Sequence, residues 1–181
     1  MSTKTLLTAA ELEQMPDDDS VRTELDEGEL ITMPPASMDH GGLEAEISGI
    51  LRDYVKRHRL GKVFCSSAGF RLKDDTMRAP DVSFVRAARL DSIKSKGFAK
   101  GAPDLAVEIF SPSDNVRQLM RKVKQYFAAG THTVWIVYPE SSEVQLLEAT
   151  GTDRLLQGSD PIEAPELLPG FSVPASEFFE Q

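Results

Sequence analysis

Cysteine and long hydrophobic runs are scarce in this sequence. Its 181 residues contain one cysteine, Cys65, which excludes a disulfide framework and any zinc site built from several thiolates. No apolar run approaches the roughly 20 residues needed to cross a bilayer, and the acidic N-terminal segment does not resemble a secretory signal. We therefore expect residues 1–181 to form a single domain, cytoplasmic and without a membrane segment.

The signatures of several common enzyme classes are also missing. There is no glycine-rich phosphate loop and no Gly-x-Ser-x-Gly motif, the usual marks of P-loop ATPases and serine esterases. The three histidines, His40, His58 and His132, do not have ligand spacing, so a histidine-rich metal centre is not expected. Any catalytic chemistry must come from other residue types.

Charge is distributed unevenly along the chain. The net charge is −9, which argues against strong non-specific binding of nucleic acid. However, 17 of the 20 lysines and arginines lie between Arg52 and Lys124, where only eight acidic residues occur. Solvated faces of different sign would give this pattern. Alternatively, the basic stretch from Arg52 to Lys124 binds a polyanion such as DNA.

Hydrophobic periodicity predicts a mixture of helices and strands. After a helical lead-in over residues 1–22, a hairpin is expected around Gly28, a helix from His40 to Leu60 and a second helix ending at Gly130. A loop-rich tail is expected over residues 150–181. The predicted strands are Val63–Leu72, Asp81–Val85, Leu105–Phe110, Thr133–Val137 and Val144–Leu147. This order predicts an α/β (α+β) fold, with a mixed central β-sheet flanked by helices.

Two acidic residues interrupt strands that should be buried. Asp81 follows Pro80 at the start of one strand, and Glu108 lies inside the next. Ionised carboxylates are rarely buried without a partner, because their desolvation is unfavourable. If the two strands are neighbours, the carboxylates can converge on a divalent cation, and hard oxygen ligands favour Mg²⁺ or Mn²⁺. An ion pair between Glu108 and a core lysine or arginine would explain the same residue.

A basic residue would complete such a site, and the second helix offers two. Lys122 lies on one side of the apolar stripe of this helix, one turn before Tyr126, and Lys124 lies on the other side. Both would also be ordinary solvent-exposed lysines. Helical periodicity does not choose between them.

Motifs spread over most of the chain carry a resemblance to a known family. In order they are Glu24–Leu30, Pro34-Pro35 with His40, Pro80-Asp81-Val82, Gly101–Ile109, Ser111-Pro112-Ser113, Lys122 with Tyr126 and Gly130, Trp135–Val137, and Leu168-Pro169-Gly170-Phe171. This set resembles the Uma-two family of restriction-endonuclease-like proteins, within the PD-(D/E)xK nuclease superfamily. The resemblance covers about Thr23 to Phe179.

The resemblance implies a four-stranded mixed sheet with a nuclease active site on its central strands. Asp81 then matches the motif aspartate and Glu108 the second acid, and both would be catalytic and bind Mg²⁺ or Mn²⁺. The superfamily often has a lysine two residues after that acid, where this chain has Phe110. The resemblance implies that the lysine comes instead from the following helix, and it selects Lys122 over Lys124.

Further residues would border the site that the resemblance implies. Glu29 and His40 match family positions near it, and Glu44 lies one helical turn after His40. The expected function is Mg²⁺-dependent hydrolysis of phosphodiester bonds in DNA by a homodimer. A catalytically inactive dimeric binding or regulatory module with the same fold is the alternative, and hydrolysis of a small phosphorylated substrate is a weaker one.

Overall fold

The computed structural model describes residues 6–16, 21–111 and 114–180. The helices are α1 (Ala9–Leu12), α2 (Met38–His58), α3 (Ala87–Ile93) and α4 (Val116–Ala128), with a 3₁₀ helix at Ala175–Phe179. The strands are β1 (Arg22–Asp26), β2 (Glu29–Met33), β3 (Gly61–Cys65), β4 (Phe70–Lys73), β5 (Thr76–Arg78), β6 (Val82–Arg86), β7 (Ala99–Lys100), β8 (Leu105–Ile109), β9 (Thr133–Tyr138), β10 (Glu143–Glu148), β11 (Asp153–Gln157), β12 (Pro161–Glu163) and β13 (Ser172–Pro174).

A six-stranded mixed sheet forms the centre of the fold, with strand order β11-β10-β9-β8-β6-β3. Its central strands β8 and β9 pair in parallel, and the other neighbours are antiparallel. All five residues of β8 are buried, because α2 covers one face of the sheet and α4 the other. The mixed sheet flanked by helices agrees with the expectation, although it has six strands rather than four.

The helix α4 owes its position to an amphipathic pattern. Leu119, Val123 and Tyr126 recur at three- and four-residue spacing and pack on the sheet beside Ala106 and Ile136. The helix begins after Asn115, whose side chain accepts a hydrogen bond from the backbone N–H of Arg117. Residues 112 and 113, which belong to the motif Ser111-Pro112-Ser113, lie outside the described residues.

A second sheet of five strands, in the order β2-β1-β5-β4-β7, lies beside the first. The predicted hairpin is present as β1 and β2, and Glu27 and Gly28 at its turn both have positive φ. The single strand predicted over 63–72 is wrong. The chain turns after Cys65, so that β3 joins the large sheet and β4 joins the small one. A Cβ at Gly69 in this turn would lie 2.5 Å from the ring of Phe98.

Both ends of the chain contain short regular elements within the described residues. Within the lead-in over residues 1–22, the described helix covers Ala9–Leu12, and a capping box between Thr8 and Glu11 caps its N-terminus. The tail over residues 150–181 contains three short strands, and its Phe178 packs on Trp135 with ring centroids 5.9 Å apart. Among the described helices, none combines the length and apolar character that a membrane span requires.

Candidate active site

Asp81 and Glu108 lie next to each other on neighbouring strands. The antiparallel register of β6 and β8 pairs Val82 with Val107, and one step further along it Asp81 is opposite Glu108. Residues directly opposite in such a ladder have Cα atoms about 4.5–5.5 Å apart and side chains on the same face. The backbone N–H of Ile109 donates to Asp81 Oδ2 at 2.7 Å, which joins the two strands at this point.

Helix α4 provides two partners for the Glu108 carboxylate. Lys122 Nζ lies 2.7 Å from Oε2, and the Tyr126 hydroxyl donates to Oε1 at 2.7 Å. These two side chains are one helical turn apart, so both reach the same strand residue. Lys124 is exposed. Of the two lysines left open by periodicity, the structure brings Lys122 to Glu108.

A third carboxylate, Glu24, contacts the same lysine. Lys122 Nζ lies 3.1 Å from Glu24 Oε1, so the ammonium group bridges Glu24 and Glu108. Glu24 is only 2% exposed, and it also accepts from Arg78 Nη1 at 2.9 Å and from the backbone N–H of Ala79 at 3.1 Å. Our sequence analysis did not assign Glu24 to the site.

The buried guanidinium of Arg78 joins the five-stranded sheet to helix α4 around this point. Its Nε and Nη2 donate to Gln125 Oε1 of α4 at 2.9 and 2.7 Å, and Nη2 lies 2.8 Å from Asp26 Oδ1 of β1. Because Arg78 also holds Glu24, it connects β5, β1 and α4. This network positions the residues that surround Lys122.

Asp81 has cationic neighbours from β1 and α2. Arg22 Nη1 lies 2.7 Å from Asp81 Oδ1, and Arg22 Nη2 donates to the carbonyl of Ala79. His40 Nε2 lies 3.3 Å from the same Oδ1, but it is buried without a well-aligned hydrogen bond to any described residue. One turn later, Glu44 accepts from the backbone N–H of Ser66 at 3.1 Å.

His40, Glu44 and Asp81 form a compact group of possible metal ligands. One ligand atom from each residue lies within 4.8 Å of the others. The two helical residues are four apart and therefore project from the same face of α2. Two carboxylates and one imidazole are a donor set that divalent cations accept.

The carboxylates of the site ionise differently because their neighbours differ. Burial opposes ionisation of Asp81, but His40 and Arg22 lower its pKa below the usual value. Burial likewise opposes ionisation of Glu24, whose pKa is lowered by Lys122 and Arg78. For Glu108, burial together with the charges of Asp81 and Glu24 raises the pKa, although Lys122 acts in the opposite direction.

Two of the basic groups beside these carboxylates, Lys122 and His40, are stabilised in their charged forms. Burial alone would lower the pKa of Lys122, but Glu108 and Glu24 raise it above its ordinary value. The neighbouring Asp81 carboxylate raises the pKa of His40, against a smaller effect of burial. Lys122 is therefore an ammonium ion at neutral pH.

These residues lie on the wall of one large cavity. Its volume is about 1860 Å³, and it is lined by Arg22, Glu24, His40, Asp81, Glu108 and Lys122 among others. Glu44 also lines it, whereas Glu29 is exposed at the start of β2 and is not among the described residues that line it. The structure thus gathers the predicted site residues except Glu29.

The basic stretch from Arg52 to Lys124 divides between two surfaces. Lys62, Lys94 and Lys96 line the cavity. Arg52 and Arg57, by contrast, are exposed on α2 and do not line it. The stretch is therefore not one continuous basic face.

Comparisons with known proteins agree with this architecture. The family model Uma2, described as "Putative restriction endonuclease", matches residues 9–176. A crystal structure of "a putative nuclease belonging to DUF820" from Anabaena variabilis is similar, with a TM-score of 0.80 and 20% sequence identity over 96% of this chain and 97% of that chain. No curated protein matches the chain. The expected restriction-endonuclease-like fold is confirmed.

Proposed function

The chain belongs to the Uma2 (Uma-two) family, and from that membership we propose that it is a metal-dependent nuclease that hydrolyses phosphodiester bonds in DNA. One observation carries the proposal. Extending the register of β6 and β8 by one step puts Asp81 opposite Glu108, the Lys122 ammonium lies 2.7 Å from Glu108, and all three residues line one open cavity. Two carboxylates can hold a divalent cation that activates water, and an ammonium group beside them can stabilise the charge that develops on a phosphodiester.

The residues present fit a divalent cation. Asp81 and Glu108 offer hard oxygen donors, which suit Mg²⁺ and Mn²⁺. The buried Nε2 of His40 lacks a well-aligned partner among the described residues, and together with Glu44 it could complete the ligand set. A divalent cation held there would lower the pKa of water and neutralise charge that develops on the phosphate.

Lys122 acts as a fixed positive charge in this proposal. Its pKa is raised by Glu108 and Glu24, so it keeps its proton at neutral pH and is not suited to remove one from water. The ammonium group can instead donate to a phosphate oxygen and stabilise the charge of the transition state. Glu24 and Glu108 hold it in place from two sides, 3.1 and 2.7 Å away.

Three lysines of the cavity lining are the groups that would contact the phosphates of DNA in this proposal. Lys62, Lys94 and Lys96 line the cavity that also holds Asp81 and Glu108, and they can contact the phosphate backbone on either side of the scissile bond. A homodimer remains a prediction, because cutting both strands of a duplex commonly uses two sites and closed twofold assemblies are frequent.

Cleavage of supercoiled plasmid DNA in the presence of Mg²⁺ tests the proposal. Asp81→Asn, Glu108→Gln and Lys122→Met should each abolish cleavage. Lys124→Met, which changes an exposed lysine of the same helix, should cleave like the parent protein. Circular dichroism spectra establish that each variant is folded. Cleavage by all three site variants at the parent rate would refute the nuclease assignment.

The alternative, a catalytically inactive dimeric binding or regulatory module with the same fold, is favoured by a different observation. Asp81, Glu108 and Glu24 already contact Arg22, Lys122 and Arg78, respectively, as buried ion pairs would in a purely structural network. Such a module would bind the plasmid in Mg²⁺ without cutting it. Calorimetric titration with Mn²⁺ would then give no binding heat that depends on Asp81.

A further inference from the structure

Arg22 competes for the oxygen atom that a metal ion would need. Its Nη1 lies 2.7 Å from Asp81 Oδ1, while the other oxygen of this carboxylate accepts from the backbone N–H of Ile109 at 2.7 Å. His40 Nε2 lies 3.3 Å from Oδ1 as well. A divalent cation that binds Asp81 therefore meets a guanidinium group on the same oxygen, and two such cations repel each other.

The Arg22 side chain can leave this position for the cavity. About a quarter of it is exposed, it lines the cavity beside His40, and its Nε is without a hydrogen-bond partner among the described residues. An arginine fork binds phosphate oxygens in the same bidentate geometry in which it binds a carboxylate. A substrate phosphate is thus the natural second partner for this group.

Resting on the proposed function, we infer that Arg22 is an exchangeable counter-ion of Asp81 and a ligand of the substrate phosphate. Without a divalent cation its guanidinium binds Asp81 Oδ1. When the cation binds Asp81, the guanidinium moves off Oδ1 and contacts the phosphate to be cleaved. Arg22 thereby couples metal binding to substrate binding.

Mn²⁺ affinity, measured by calorimetry, tests the exchange without any turnover. Arg22→Met removes the competing charge and should tighten Mn²⁺ binding by roughly tenfold or more. Arg89→Met is the matched control, because Arg89 forms a comparable half-exposed ion pair with Asp104, at 3.0 Å, away from the cavity lining. It should leave the Mn²⁺ affinity unchanged. Arg22→Gln retains a donor for the Ala79 carbonyl and replaces Arg22→Met if that variant does not fold.

Binding of a short DNA duplex, with and without Ca²⁺, tests the phosphate contact. In the parent protein Ca²⁺ should strengthen duplex binding. Arg22→Met should lose most of this Ca²⁺-dependent increase in affinity. Its affinity for the duplex in the absence of metal should stay near the parent value. Unchanged or weaker Mn²⁺ binding by Arg22→Met would overturn the exchange, and an undiminished Ca²⁺ gain would overturn the phosphate contact. If the parent protein binds no Mn²⁺ at all, the proposed function fails and this inference with it.

Discussion

Replacing Lys122 with methionine should destabilise the protein substantially. The Lys122 ammonium bridges two carboxylates, Glu24 and Glu108, which are 2% and 6% exposed. Removing one partner of a buried ion pair leaves an uncompensated charge and costs about 3–5 kcal/mol. Because Glu24 keeps its contact with Arg78, the penalty falls mainly on Glu108, and we expect about 3 kcal/mol at neutral pH.

The loss of unfolding free energy caused by Lys122→Met should increase with pH. Burial, Asp81 and Glu24 raise the pKa of Glu108, and loss of Lys122 raises it further. A carboxyl group with a raised pKa in the folded state favours folding at low pH, where it is protonated in both states. That contribution is lost as the pH rises through its folded pKa. The free energy of unfolding of Lys122→Met should therefore be closer to that of the parent protein at about pH 5 than at about pH 8.

Urea unfolding followed by tryptophan fluorescence measures these differences. Trp135 is the single tryptophan and is fully buried, so it reports on the core directly. Lys124→Met is the control and should change the free energy of unfolding by less than about 0.5 kcal/mol. Adding Glu108→Gln to Lys122→Met should recover about 2 kcal/mol, since it removes the stranded charge. Equal stability of Lys122→Met and Lys124→Met would refute the buried ion pair.

Three further predictions concern the surroundings of the site. Tyr126→Phe removes the donor to Glu108 Oε1 and should lower the free energy of unfolding by about 1–3 kcal/mol in urea; no change would contradict this contact. Arg78→Met removes one of the two cationic partners of Glu24 together with the contacts to Asp26 and Gln125, and it should cost about 3–5 kcal/mol in the same assay. A midpoint like that of the parent protein would argue against the network. Lys96→Ala should weaken DNA binding for all sequences alike. The slope of log affinity against log salt concentration, measured by fluorescence anisotropy, should decrease in magnitude by about one unit. An unchanged slope would show that Lys96 does not contact the DNA.

The parts of the site carried by strong local patterns could be predicted from the sequence. The stripe of α4 fixes which residues of that helix face the sheet, and so restricts the candidate lysines to the flanks of the stripe. The strand-like hydrophobic residues around Asp81 and Glu108 identified both acids as unusual from the sequence. That their strands β6 and β8 are neighbours is a finding of the structure. The choice of Lys122 over Lys124 needed the family resemblance.

The smaller sheet and its charges could not be predicted in this way. Strand β5 has three residues and β7 has two, which is too short for any alternation to be visible. Their pairing depends on segments far apart in the chain, as in the contact between Glu24 and Arg78. One signal was available in β1, where Arg22, Glu24 and Asp26 alternate with other residues and so share a face.

The position of a bound divalent cation decides whether Asp81 and Glu108 form one metal site. In crystals soaked with Mn²⁺, an anomalous difference map should show a peak in contact with carboxylate oxygens of both Asp81 and Glu108, and the peak should be absent from crystals of Asp81→Asn. A map from fully soaked crystals without density between these two carboxylates, or with the ion bound elsewhere and unaffected by Asp81→Asn, would contradict the account.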